Sequence, residues 1–115
     1  MKKTLPHIRE LAGMIKKKSK YHNERKTVNG INFPSIKEAD YYRDLSILKS
    51  TGKIRYFLRQ VPFHLTGGVV YRCDFMVFEN DGNIRYIDTK GTRTAMFILK
   101  KKQVEALYPV VIEEV

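Results

Sequence analysis

The spacing of apolar residues changes several times along the chain, and each change marks an element. Over residues 5–17, LPHIRELAGMIKK, apolar side chains recur at Leu5, Ile8, Leu11, Ala12 and Ile15, a helical spacing that ends in a run of lysines. Val28 to Phe33 contains Asn29-Gly30, the strongest short signal for a hairpin turn. From Pro34-Ser35 to about Ser50 a second helix is expected. Ser35-Ile36-Lys37-Glu38 matches a capping box, and Tyr41, Leu45 and Leu48 form an apolar stripe. Thr51-Gly52 ends it. Ile54 to Leu65 reads as extended, with Pro62 marking an edge or a bulge; Gln60 reads as a polar group near the site or as a surface residue of the strand, and the second reading is favoured.

Thr66-Gly67-Gly68 is a turn into the most informative stretch, Tyr71 to Gly91, which reads as two strands joined at Asn80-Asp81-Gly82. One face carries Met76, Phe78, Ile84 and Tyr86; the other carries Tyr71, Cys73, Phe75, Val77 and Ile87. Two apolar faces fit a sheet covered by helices on both sides. After Gly91, helical spacing returns from Thr94 to Tyr108 through Met96, Leu99, Val104 and Leu107. Tyr108-Pro109 stops that helix, and Val110 to Val115 is a short last strand.

The polar residues of the hairpin change the picture. With a three-residue loop and Gly82 in the left-handed position, Asp74 falls opposite Asp88, and Arg72 opposite Lys90. A two-residue Asp81-Gly82 turn would slip the register by one and put Asp74 on the other face. Facing carboxylates repel, so the pair requires a cation or a shared proton. Asp88 and Lys90 share a face, and Thr89 points the other way. Glu38 has two readings: a cap reaching back to the Ser35 amide, or an inward-pointing group on the same helix face as Tyr41, Leu45 and Leu48. Two further carboxylates in want of a cation favour the inward one.

At 115 residues the chain suits one domain with a real core, spanning 1–115. Its 22 Lys and Arg against 12 Asp and Glu give a net charge of +10, and the pI is near 9.8. So basic a domain is expected to meet a polyanion, nucleic acid first. The cationic positions fall in groups: Lys16, Lys17, Lys18, Lys20, Arg25 and Lys26 in a poorly patterned segment, then Arg72, Arg93, Lys100, Lys101 and Lys102. Segment 16–27 reads either as a solvated linker or as a flexible arm along phosphates. Of three consecutive lysines on a helix, at most two can face one site.

The lone Cys73 excludes an internal disulfide and Cys-rich zinc sites, and reads as a small buried hydrophobe. His7, His22 and His64 show no metal-ligand spacing, and no Gly-rich phosphate loop is present. No apolar run spans a membrane and no secretory signal opens the chain, so a cytoplasmic protein is expected.

The order of elements after the Asn-Gly hairpin, with Ser35-Ile36-Lys37-Glu38-Ala39-Asp40-Tyr41-Tyr42, Tyr71-Arg72-Cys73-Asp74-Phe75 and Tyr86-Ile87-Asp88-Thr89-Lys90-Gly91, resembles the PD-(D/E)xK nuclease superfamily. It is more similar to small phage-encoded endonucleases of that superfamily associated with Holliday junctions. That likeness also takes in Ser19-Lys20-Tyr21 and the Phe97 to Tyr108 helix. Asp88 stands where the superfamily usually has Glu. The resemblance implies an α/β (α+β) fold with a restriction-endonuclease-like core, a central mixed sheet of four to five strands flanked by helices. It implies Mg²⁺-dependent hydrolysis of DNA phosphodiesters, with Mn²⁺ able to substitute, and Glu38, Asp74, Asp88 and Lys90 as catalytic residues. Asp74, Asp88, Glu38 and the Thr89 carbonyl would hold the metal, and Lys90 would orient the attacking water. Branched DNA, a homodimer making paired cuts, and a place in recombination inside a bacterial host follow from the resemblance alone. A non-catalytic nucleic-acid-binding protein, or a sequence-specific, nicking or end-processing nuclease of the same fold, is the alternative.

Overall fold

A computed structural model describes residues 26–89 and 92–115. The helix expected over 5–17, the basic positions Lys16, Lys17, Lys18, Lys20 and Arg25, and Lys90 lie outside the described residues.

The first described element is the small hairpin of β1 (Lys26–Val28) and β2 (Ile31–Phe33). Asn29 and Gly30 both have positive φ, 52° and 78°, as a two-residue hairpin turn of this hand requires. α1 (Ile36–Ser50) follows. Ser35 caps it by accepting from the Glu38 amide at 3.1 Å. Its end is a left-handed glycine cap: Lys53 donates to the Leu48 carbonyl, Gly52 to that of Lys49, and Gly52 has a φ of 79°.

Four strands then form one sheet in the order β3 (Tyr56–His64), β4 (Val70–Phe78), β5 (Ile84–Asp88), β6 (Ile112–Glu114), with α2 (Ala95–Leu107) before β6. β3, β4 and β5 are antiparallel neighbours, while β5 and β6 run parallel, so the sheet is mixed. The fold is α+β, and Pro62 sits on the edge strand, where a missing N–H costs no ladder bond. No helix among the described residues is long and apolar enough to cross a membrane.

Alternate residues of β5 report which helix covers which face. Ile87 packs with Tyr41, Leu45 and Leu48 of α1, whereas Tyr86 and its parallel partner Ile112 pack with Phe97 and Val104 of α2. The helices therefore cover opposite faces, as two apolar strand faces demand. The expected split of β4 needs correction. Phe75 and Val77 join the α1 cluster, but Tyr71 and Cys73 join the α2 cluster, although all four are two residues apart. β3 changes sides with it: Phe57 lies against the α1 cluster, Val61 and Phe63 within that of α2. The change falls where the β3–β4 ladder, its register the same on both sides, lacks the Gln60–Asp74 pair, and Gln60 has a φ of 49°. Cys73, Asp74 and Phe75 are consequently buried in succession.

The inward stripe of α2 also differs from the expected one. Phe97 and Val104 are buried, while Met96, Leu99 and Leu107 are half exposed. A short helix with apolar residues on several sides admits more than one stripe. The fit against Phe63, Tyr71 and Ile112 selects this one.

Candidate functional site

A cavity of about 630 Å³ opens where five elements meet: the start of α1, the interruption in β3 and β4, the end of β5 and the first turns of α2. Glu38, Gln60, Asp74, Thr89, Tyr71, Arg72 and Lys100 all line it. Each arrives for a local reason. The Ser35 cap sets the first turn of α1, so Glu38 points inward with the Tyr41 and Leu45 face and is 4 % exposed. The shared change of face in β3 and β4 turns Gln60 and Asp74 into the cavity wall.

The β4–β5 register is the one the three-residue loop predicts: Phe75 pairs with Ile87 and Phe78 with Ile84. Glu79 and Asn83 close the loop, and Gly82 has a φ of 97°. Continuing that ladder by one step puts Asp74 across from Asp88. The two carboxylates nevertheless diverge. Asp74 Oδ2 accepts from the Thr89 amide at 2.9 Å and the Thr89 hydroxyl at 2.8 Å, and Oδ1 accepts from Gln60 Nε2 at 3.2 Å. Asp88, fully buried behind the cavity wall, accepts from the Tyr71 hydroxyl. Thr89 thus turns toward Asp74, not away from the site, because the change of face at Asp74 brings that carboxylate to the Thr89 side.

Gln60 joins the acids. Its Nε2 donates to Glu38 Oε2 at 3.0 Å as well as to Asp74. The Arg59 guanidinium lies 3.8 Å from the same Glu38 oxygen, but is stacked 4.5 Å over the Phe33 ring. Gln60 is therefore no surface strand residue. Its place beside the acids is the less favoured of its two sequence readings, because it depends on a positive φ in mid-strand that nothing in the local sequence demands. Tyr71, with its hydroxyl on Asp88, likewise read only as a core aromatic.

The electrostatics follow from burial. Burial, then the hydrogen bond to Asp88, pushes the Tyr71 hydroxyl far above its ordinary pKa, so it remains a donor. Burial pushes the Cys73 thiol up to about 12, in keeping with a packing role.

The cationic residues separate by position. Arg72 and Lys100 line the cavity, and Lys100 donates to the Val70 carbonyl at 3.3 Å. Arg93 and Lys101 are both tied to Glu114, at 2.7 and 2.9 Å, and Lys26 to Asp40 at 2.8 Å. Lys102 is exposed.

Among the described residues no three His, Cys, Asp or Glu side chains converge closely enough to form a metal cluster. The donor chemistry still fits a hard divalent cation. Glu38 and Asp74 supply carboxylate oxygens, and Thr89 and Gln60 supply neutral oxygens beside the same cavity. Asp88 would join them by leaving Tyr71.

No curated protein and no solved structure matches the chain at a significant level. Residues 18–114 match the family described as "Protein of unknown function (DUF1064)". That match covers most of the 115 residues, and the chain belongs to this DUF1064 family.

Proposed function

We propose that the protein is a Mg²⁺-dependent DNA endonuclease of the PD-(D/E)xK type, acting on branched DNA in the manner of a Holliday junction resolvase. The observation that supports this best is the gathering of Glu38, Asp74 and Thr89 on one cavity that also holds Arg72 and Lys100. Buried carboxylates require a cation or hydrogen bonds to offset the lost hydration, and a metal ion at this cavity would supply that to both acids. A bound Mg²⁺ would supply Lewis acidity and a water of lowered pKa.

The chain's own groups would do the rest. Asp74 and Glu38 would hold the metal, with Asp88 and the Thr89 carbonyl, and Mn²⁺ would fill the same site. Arg72 and Lys100 would seat the phosphates flanking the scissile bond. Lys90, directly after Thr89 in sequence, would orient the attacking water and offset charge developing on the phosphate. Thr89, by donating to Asp74 Oδ2, would fix the rotamer of that carboxylate. The restriction-endonuclease-like topology, a homodimer placing two cuts, and a cytoplasmic site of action in recombination belong to the same proposal.

One observation favours a second reading, a non-catalytic nucleic-acid-binding protein. The three acids do not form a cluster, and Asp88 is engaged by Tyr71. A single experiment separates the two. Labelled four-way junction, duplex and single-stranded DNA are incubated with Mg²⁺ or EDTA, using wild type and Asp88→Ala. Metal-dependent cutting of the junction that disappears in the variant supports the resolvase. Equal cutting of all substrates retains the nuclease and removes the preference for branches. Binding without cutting under any metal favours the second reading.

A further inference from the structure

Among the described residues only Asn29 and Gln60 combine a side chain with a positive φ. At Asn29 the hairpin turn explains it. At Gln60 no turn does, for β3 continues four residues to either side. Left-handed backbone in a non-glycine persists only where the surroundings impose it, and such strain collects at functional sites. Its result here is to aim one side chain. Gln60 Nε2 lies 3.0 Å from Glu38 Oε2 and 3.2 Å from Asp74 Oδ1, at the wall of the cavity.

The nitrogen, not the carbonyl, must occupy that point, because ionised carboxylates only accept. An NH₂ group satisfies one oxygen on each acid. Being neutral, it offsets their mutual repulsion far less than a cation in the same place would. We propose that Gln60 is a positioning residue that takes the place of a divalent cation between Glu38 and Asp74. When the cation enters, the amide rotates about its last side-chain bond and offers Oε1 as a further oxygen ligand. The rotation exchanges donor for acceptor with no movement of the backbone. Gln60 thereby keeps two like charges on one shared donor before the metal arrives, with the Arg59 guanidinium 3.8 Å from the Glu38 oxygen, and its strained backbone holds it there. This inference rests on the metal-site part of the nuclease reading, but not on cleavage.

The test is Mg²⁺ and Mn²⁺ titration by calorimetry into metal-free protein, beside melting curves in EDTA. Wild type is compared with Gln60→Glu, Gln60→Ala and Gln60→Lys, and DNA cleavage is assayed in parallel. Metal affinity is expected to fall in the order Glu, Gln, Ala, Lys. Each of the first two steps is about tenfold, the low end for altering a partner of a metal ligand. Lys should abolish binding. In EDTA the melting temperature should be highest for Lys, lower for wild type, and lower again for Ala and Glu, which leave the two acids without the donor they share. A merely structural Gln60 would shift melting without ordering the affinities. Should Gln60→Lys fail to fold, the Glu and Ala variants carry the comparison. Wild-type affinity in both of those, or no metal binding by wild type, overturns the proposal. Unchanged affinities with intact cleavage would leave the nuclease standing without this role for Gln60. The expected order with no cleavage of any DNA would do the reverse.

Discussion

Two pairs of carboxylates in this protein are each joined by one side chain, and the joining groups differ in charge. Near the β4–β5 turn, Arg85 bonds Glu113 at 2.6 and 2.9 Å and reaches Glu79, which is 1 % exposed, at 3.3 Å. Beside the cavity, Gln60 joins Glu38 and Asp74 at similar distances. In the first pair a permanent cation compensates the acids. Hydrogen bonding to Glu113, more than burial opposes it, holds the Arg85 guanidinium above even its ordinary pKa. In the second pair the bridge is neutral, the acids face a cavity, and the backbone beneath the bridge is strained. In the first pair one guanidinium joins both acids; in the second the group shared by both acids is a neutral amide, with the Arg59 guanidinium 3.8 Å from Glu38 alone, and a cation entering the cavity would complete the compensation.

The sharpest way to break this contrast is Asp74→Asn. On the proposed reading it reduces DNA cleavage to background, while filter binding retains most of the affinity, since phosphate contacts by Lys and Arg dominate. Cleavage that survived would place Asp74 among the structural acids. Next in size is Arg85→Met at the compensated pair. It strands Glu79 in the interior and should cost about 3 kcal/mol in urea unfolding, at the lower end for breaking a buried pair because Glu113 is partly exposed. Added Mg²⁺ should not restore that loss.

Glu38→Gln sharpens the comparison from the other side. It removes one of two like charges, and its amide oxygen can still accept from Gln60. Stability in EDTA should stay within about 1 kcal/mol of wild type, the modest scale of a single exchanged hydrogen bond. The stabilisation that wild type gains from Mg²⁺, read as a shift in melting temperature, should shrink. The smallest effect concerns Glu114. Hydrogen bonds from Arg93 and then Lys101 hold its pKa at about 2, below the ordinary 4.5. A depressed carboxylate contributes stability that is full above its unfolded pKa and is lost as pH falls through the folded one. Glu114→Gln should therefore flatten the slope of stability between about pH 4.5 and 2, and only slightly, because the group is solvent-accessible and screened by salt.

Local chemistry made much of this fold readable along the chain. The Asn29-Gly30 turn, the Ser35 cap, the Gly52 helix end and the loop at Gly82 each depend on residues a few positions apart. The loop left two β4–β5 registers open, and the structure takes the one with a three-residue loop, which puts Asp74 across from Asp88. The inward aim of Glu38 followed from its place on the Tyr41 and Leu45 face of α1.

Other features required the packed molecule. Period-two alternation carries Tyr71, Cys73, Phe75 and Val77 along one face only while the strand stays regular. The shared change of face at Gln60 and Asp74 couples two strands, and no window on either one contains it. Likewise, Phe97 rather than Met96 faces the core because Phe63, Tyr71 and Ile112 offer it a surface. By itself, then, the sequence determined the elements, their caps and turns, the basic character and the acids that could meet. Only the tertiary structure decided that Asp74 turns to Gln60 and Thr89 while Asp88 turns to Tyr71. Side-chain direction at an interrupted ladder depends on contacts among residues distant in sequence, which no local pattern encodes.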